Sequence, residues 1–97
     1  MDEELLERLR NQIDETDKEI LYMLKRRIQI VRKIAKFKIE NNLEVFQPDR
    51  EAILFNKLGS QAITLKLDEN FVQDLYELIV NESKKAQEEI IAKKQAQ

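Results

Sequence analysis

From Asp2 to Asn41 the apolar residues recur at steps of three and four, with no proline or glycine to interrupt them. That periodicity predicts one long amphipathic helix, about residues 2–41. Indexed at 100° per residue, Arg10, Ile13, Asp17, Ile20, Leu24, Arg27, Val31, Ile34 and Lys38 fall on a single stripe. Asn41-Asn42 reads as its stop and Leu43–Pro48 as a connector. A second helix, about 48–58, opens at Pro48-Asp49, because proline suits the first helical position and acids suit a positive N-terminus. It is expected to end near Leu58 with Gly59 as its C-cap, leaving Ser60–Leu67 as a loop or a fraying continuation. Asp68 is a natural N-cap for a third helix, about 68–93, with residues 94–97 as a disordered tail. On that third helix Val72, Tyr76, Ile79, Ser83, Gln87 and Ile90 share a stripe, with Ser83 and Gln87 one turn apart. The fold class expected is all-α: long, short and long helices in one domain.

Both long stripes are apolar only in part. Arg10, Asp17, Arg27 and Lys38 interrupt the first, and a cation on a core face costs free energy unless an anion meets it. Arg26, Arg32, Lys33 and Lys36 point elsewhere and read as surface charges. Asp17 repels an anion and reads as a structural partner for a cation.

Length adds a constraint. A helix of about 38 residues is roughly 57 Å long, and two shorter helices cannot cover such a seam in a compact monomer. An antiparallel second copy under two-fold symmetry is the simplest cover, so a homodimer is expected. Along one straight helix Arg27 and Lys38 are roughly 16 Å apart and can bend toward a common point, whereas Arg10 is roughly 26 Å from Arg27. Arg10 would reach such a point only from the partner chain.

Composition narrows the chemistry. Among 97 residues there are one Gly, one Pro, no Cys and no His. Disulfides, Cys/His metal sites, Ser-His triads and thiol nucleophiles are therefore excluded, and so are Gly-rich phosphate loops. The net charge is −2, yet Leu24–Lys38 carries seven cations and no acid. Nucleic acid is a poor fit, because acidic segments flank that block and aromatics are nearly absent from it. No apolar run approaches the roughly 20 residues of a membrane span, and MDEELLERL is the wrong chemistry for a leader peptide. A cytoplasmic chain with no membrane partner is expected.

Arg27, Lys38, Arg50 and a partner's Arg10, with Glu51, Ser83 and Gln87, describe a pocket for a small anion bearing two carboxylates and a hydroxyl. With no nucleophile, histidine or metal cluster in view, such a pocket suits a reaction driven by positioning and electrostatics. The ordered segments LRNQID, YMLKRR, IAKFK, PDRE and NESKKAQ resemble the all-helical class of chorismate mutases, from about Leu6 to Gln87. That resemblance implies an intertwined homodimer, no cofactor, and the Claisen rearrangement of chorismate to prephenate on the way to phenylalanine and tyrosine. The enzyme class implied is an isomerase (intramolecular transferase).

It also implies residue roles. Arg10 of the partner subunit, Arg27 and Arg50 would hold the carboxylates, with Ser83 assisting. Lys38 and Gln87 would donate to the ether oxygen, and Glu51 would accept the ring hydroxyl. Gln47 stands where some relatives place aspartate near that hydroxyl, which leaves its contact open. Some relatives carry glutamate at position 87, which must be protonated to donate, whereas Gln87 donates at any pH. Isochorismate-pyruvate lyases resemble this scaffold too, but there the residue after the Arg50 equivalent tends to be apolar and the Ser83 equivalent is not serine. A non-catalytic helical dimerisation module is the third reading. The resemblance further allows a separate regulatory synthase as partner, and no fused domain is expected within 97 residues.

Overall fold

The computed structural model describes residues 1–96, which form three helices: α1 (Asp2–Glu40), α2 (Pro48–Thr64) and α3 (Glu69–Gln95). They fall into two compact units, Met1–Ile30 and the chain from Val31 onward. The first unit is a helical run with Asp2, Glu3 and Glu4 in its opening turn, where acids meet the positive end of the helix dipole. Its apolar residues Leu5, Leu9, Ile13 and Ile20 are all exposed in the single chain.

The second unit contains the end of α1, the connector, and the α2–α3 hairpin. Leu58 and Ala62 of α2 are buried against Val72 of α3, with Leu54, Phe55 and Tyr76 packed around them. Further along α3, Val80, Ser83, Ala86 and Ile90 are buried, a 3–4 spacing that continues the Val72 face. Between Val31 and Glu40 the buried position is Ala35, with Val31, Lys38 and Ile39 half-buried. Ile34 is 43% exposed, so the inward face lies one position round from the stripe that hydropathy alone draws.

The helix ends show where local signals lose to packing. α1 closes with Asn42 in the left-handed region at φ 56. Asn42 N–H bonds the Ile39 carbonyl at 3.3 Å and Leu43 N–H that of Lys38 at 2.8 Å, the paired closure of a Schellman motif. α2 runs past Gly59 to Thr64, and the left-handed closing residue is Lys66, φ 58, with Leu67 N–H on the Ala62 carbonyl at 2.9 Å. A stop at Gly59 would forfeit the turn carrying Ala62, which is 2% exposed against α3. Burial of that turn outweighs the roughly 1 kcal/mol that a mid-helix glycine costs relative to alanine. At the start of α3, Asp68 accepts a hydrogen bond from Phe71 N–H at 3.0 Å, as an N-cap does. The helix then continues through residues 94 and 95, which the tail expectation left disordered. Lys93 and Lys94 in its last turn favour this extension by facing the negative end of the dipole. Gln97 lies outside the described residues.

Gly59 and Lys66 therefore each sit in a conformation better suited to another residue. A Cβ built on Gly59 meets Gln73 Nε2 at 3.6 Å and Glu69 Oε2 at 3.9 Å, which is ordinary van der Waals contact. Gly59→Ala is expected to stabilise the chain by about 1 kcal/mol. Lys66→Gly is expected to add about 1 kcal/mol by removing a left-handed lysine. Thermal unfolding at fixed protein concentration checks both, and a lower Tm for either variant contradicts the assignment.

Candidate functional site

The connector is folded back by the Asn42 closure so that its last residues reach Lys38, half-buried near the end of α1. Lys38 Nζ donates to the Val45 carbonyl at 3.2 Å and to Gln47 Oε1 at 3.1 Å. Both acceptors are neutral, so they orient the ammonium without cancelling its charge, and a lysine carries three donors. Gln47 is the N-cap residue of α2, at φ −127 and ψ 93, but its side chain makes no capping bond. Its amide is committed to Lys38, and Pro48 at the first helical position removes one N–H that a cap would otherwise serve.

One turn into α2, half-buried Glu51 meets α3. Glu51 Oε1 accepts from Lys84 Nζ at 2.8 Å, with the two side chains 39% and 42% exposed. At that exposure water screens the pair, and its contribution to stability is below about 1 kcal/mol. Gln47 and Glu51 both line a cleft of about 290 Å³ together with Phe46, Pro48, Lys84 and Glu88. Arg50 is exposed beside Glu51. On α3, Ser83 is buried and its hydroxyl donates to the Ile79 carbonyl at 3.0 Å, the back-bond available to any mid-helix serine. Gln87 is half-buried one turn further on.

The second unit thus assembles Lys38 with Gln47, and Gln47 with Glu51, while Ser83 and Gln87 keep a common face of α3. Arg10 and Arg27 belong to the first unit, where Arg10 is exposed and Arg27 half-buried. Lys84 is the residue that sequence periodicity passes over. It is one of two adjacent lysines in a helix, and only the packing of the first turn of α2 on α3 pairs it with an acid 33 positions earlier. Val45 is equally invisible, since it contributes a backbone carbonyl and its side-chain type carries no signal. Arg32, a surface charge by pattern, reaches Glu89 at 3.4 Å and ties the end of α1 to α3 weakly in solvent. Among the described residues no group of three or more His, Cys, Asp or Glu is placed to hold a metal ion. Within the same residues, no helix is long and apolar enough to cross a membrane.

Known proteins resemble this chain in sequence. The chain is 34% identical over 84 residues to a bifunctional chorismate mutase/prephenate dehydratase of Buchnera aphidicola from Schizaphis graminum, a match covering 87% of this chain and 22% of that protein. It therefore spans about a fifth of that bifunctional relative. A 4-amino-4-deoxychorismate mutase of Streptomyces venezuelae is 32% identical over 77 residues, covering 79% of this chain and 75% of that protein. A chorismate mutase of Methanocaldococcus jannaschii is 23% identical over 92 residues, covering 95% of this chain and 93% of that one. With residues 9–88 of the 97 matching it, from the Arg10 turn through Gln87, the chain belongs to the chorismate mutase type II family.

Proposed function

We propose that this chain is an isomerase that converts chorismate to prephenate for phenylalanine and tyrosine synthesis, as a cytoplasmic homodimer and without a cofactor. The observation that carries the reading is Lys38, a half-buried ammonium oriented by two neutral oxygens and so left with its charge for an anionic ligand. The relatives are named for mutases, which favours this reading over a lyase or a non-catalytic module.

The reaction is one concerted electron shift. The ether C–O bond breaks as a C–C bond forms between the enolpyruvyl methylene and the ring, and no proton enters or leaves. The enzyme's work is therefore to select the folded conformer and to stabilise the charge that grows on the ether oxygen. Arg27, Arg50 and Arg10 of the partner subunit clamp the two carboxylates, because planar guanidinium groups match them bidentately. Lys38 and Gln87 donate to the ether oxygen, where a stronger interaction in the transition state than in the ground state raises kcat. Glu51 accepts the ring hydroxyl. Ser83 assists at a carboxylate by rotating its hydroxyl away from Ile79. Gln47, read from the sequence as a substrate-side residue, acts here through Lys38 by fixing the direction of its ammonium.

The homodimer is supported by the stripe Leu5, Leu9, Ile13 and Ile20, which the single chain leaves exposed. A second copy laid along that stripe buries it and brings a second Arg10 within reach of each site.

Incubation with chorismate is expected to yield prephenate, and no loss of chorismate at micromolar protein would refute the assignment. Lys38→Ala is expected to lower kcat by about 10²–10³, the scale for removing one donor to a developing oxyanion. Gln47→Ala should cost about tenfold in kcat, the low end of what a hydrogen bond to a charged group contributes, since the ammonium remains and Val45 still holds it. Arg27→Ala should reduce kcat/KM by orders of magnitude while circular dichroism stays helical; a loss below threefold would remove Arg27 from the carboxylate clamp. Because Gln87 donates without first taking up a proton, kcat should vary little from pH 5 to 8 while the fold holds. A steep decline traced to one ionisation in the bound complex contradicts that role.

A further inference from the structure

We propose that the Glu51–Lys84 ion pair selects the ring substituent, admitting a neutral hydroxyl at C4 and disfavouring a charged amine there. The inference rests on the mutase reading above, in which Glu51 accepts from that substituent.

Glu51 has two carboxylate oxygens, and Lys84 Nζ occupies Oε1 at 2.8 Å. A carboxylate so held still accepts one hydrogen bond from a hydroxyl through its other oxygen. An amine at the same carbon is cationic near neutral pH and asks for more than an acceptor: it needs a counter-charge. Lys84 has already matched the charge of Glu51, and a substrate ammonium at Glu51 would lie close to the lysine ammonium as well. Like charges at that range repel, while the hydroxyl compound meets no such term. Glu88 lines the same cleft and adds one acid, but it is exposed, so solvent and salt weaken its pull on a ligand. The pair spans two helices, with Glu51 half-buried in the first turn of α2 and Lys84 on α3, so the lysine also limits where the carboxylate points.

The family framework serves both substituents. A relative covering 79% of this chain at 32% identity is named for 4-amino-4-deoxychorismate. Discrimination between the two compounds therefore has to reside in side chains around C4, and Lys84 is the cation in direct contact with the C4 acceptor.

The test compares kcat/KM for chorismate and for 4-amino-4-deoxychorismate in the full chain and in two variants, Lys84→Gln and Lys84→Arg. The full chain should prefer chorismate. In Lys84→Gln the amino-to-hydroxyl ratio should rise about fivefold, the scale of a partly exposed charge interaction, and the rise should shrink in high salt. Lys84→Arg, which keeps the charge, should hold the ratio within about twofold of the full chain. An unmoved ratio in Lys84→Gln, an equal shift in both variants, or a parallel fall of both activities with no change of ratio overturns the proposal. Turnover of chorismate with an unmoved ratio defeats this inference alone, whereas no turnover of either compound defeats the mutase reading itself.

Discussion

A half-buried ammonium needs oxygen partners, and those around Lys38 come from the segment that follows its own helix. α1 ends in a left-handed Asn42, the chain turns back, and Val45 and Gln47 deliver two carbonyl oxygens to the lysine. The rest of the site follows from that closure. Gln47 is the last residue before α2, so fixing Gln47 on Lys38 fixes where Pro48 begins the helix. Glu51 lies one turn later and comes against Lys84 of α3. A connector of the same length that ended α1 without the left-handed turn would leave Lys38 without those two acceptors. Asparagine tolerates that backbone region better than most residues, which is why it serves at the junction.

The forces behind the arrangement are unequal. Burial along α2 and α3 sets the hairpin, through Leu58, Ala62 and Val72 and their half-buried neighbours. The ion pairs are partly or largely exposed and contribute little to stability, so their meaning lies in direction and charge. The core of one chain is small, and large apolar residues from Leu5 to Leu78 remain exposed. In the homodimer proposed above, a second copy would supply the missing cover.

Much of the fold is legible in the sequence. Three helices follow from unbroken 3–4 periodicity, from Pro48 at a first turn and from Asp68 as a cap. Arg27 and Lys38 stand out because they interrupt a greasy stripe, and Ser83 with Gln87 for the same reason on α3. Gly59 misled, because a glycine is a good helix end only when nothing beyond it is worth burying. Ala62 was worth burying, and the end passed to Lys66, a residue with no local claim to it. Ile34 and Ala35 exchanged places as the inward residue because hydropathy marks a stripe, while the neighbouring helix selects which edge of it is covered.

By itself the sequence determined what depends on local order: the all-helical class, where helices start, which polar residues break an apolar face, and the family those residues announce. Tertiary structure decided what depends on residues distant in the chain. It committed Gln47 to Lys38, carried α2 through Gly59, and set Lys84 against Glu51. The physical reason is range. Helix propensity and periodicity act within a few residues, whereas a hydrogen bond or ion pair between helices exists only once packing has brought its two ends together.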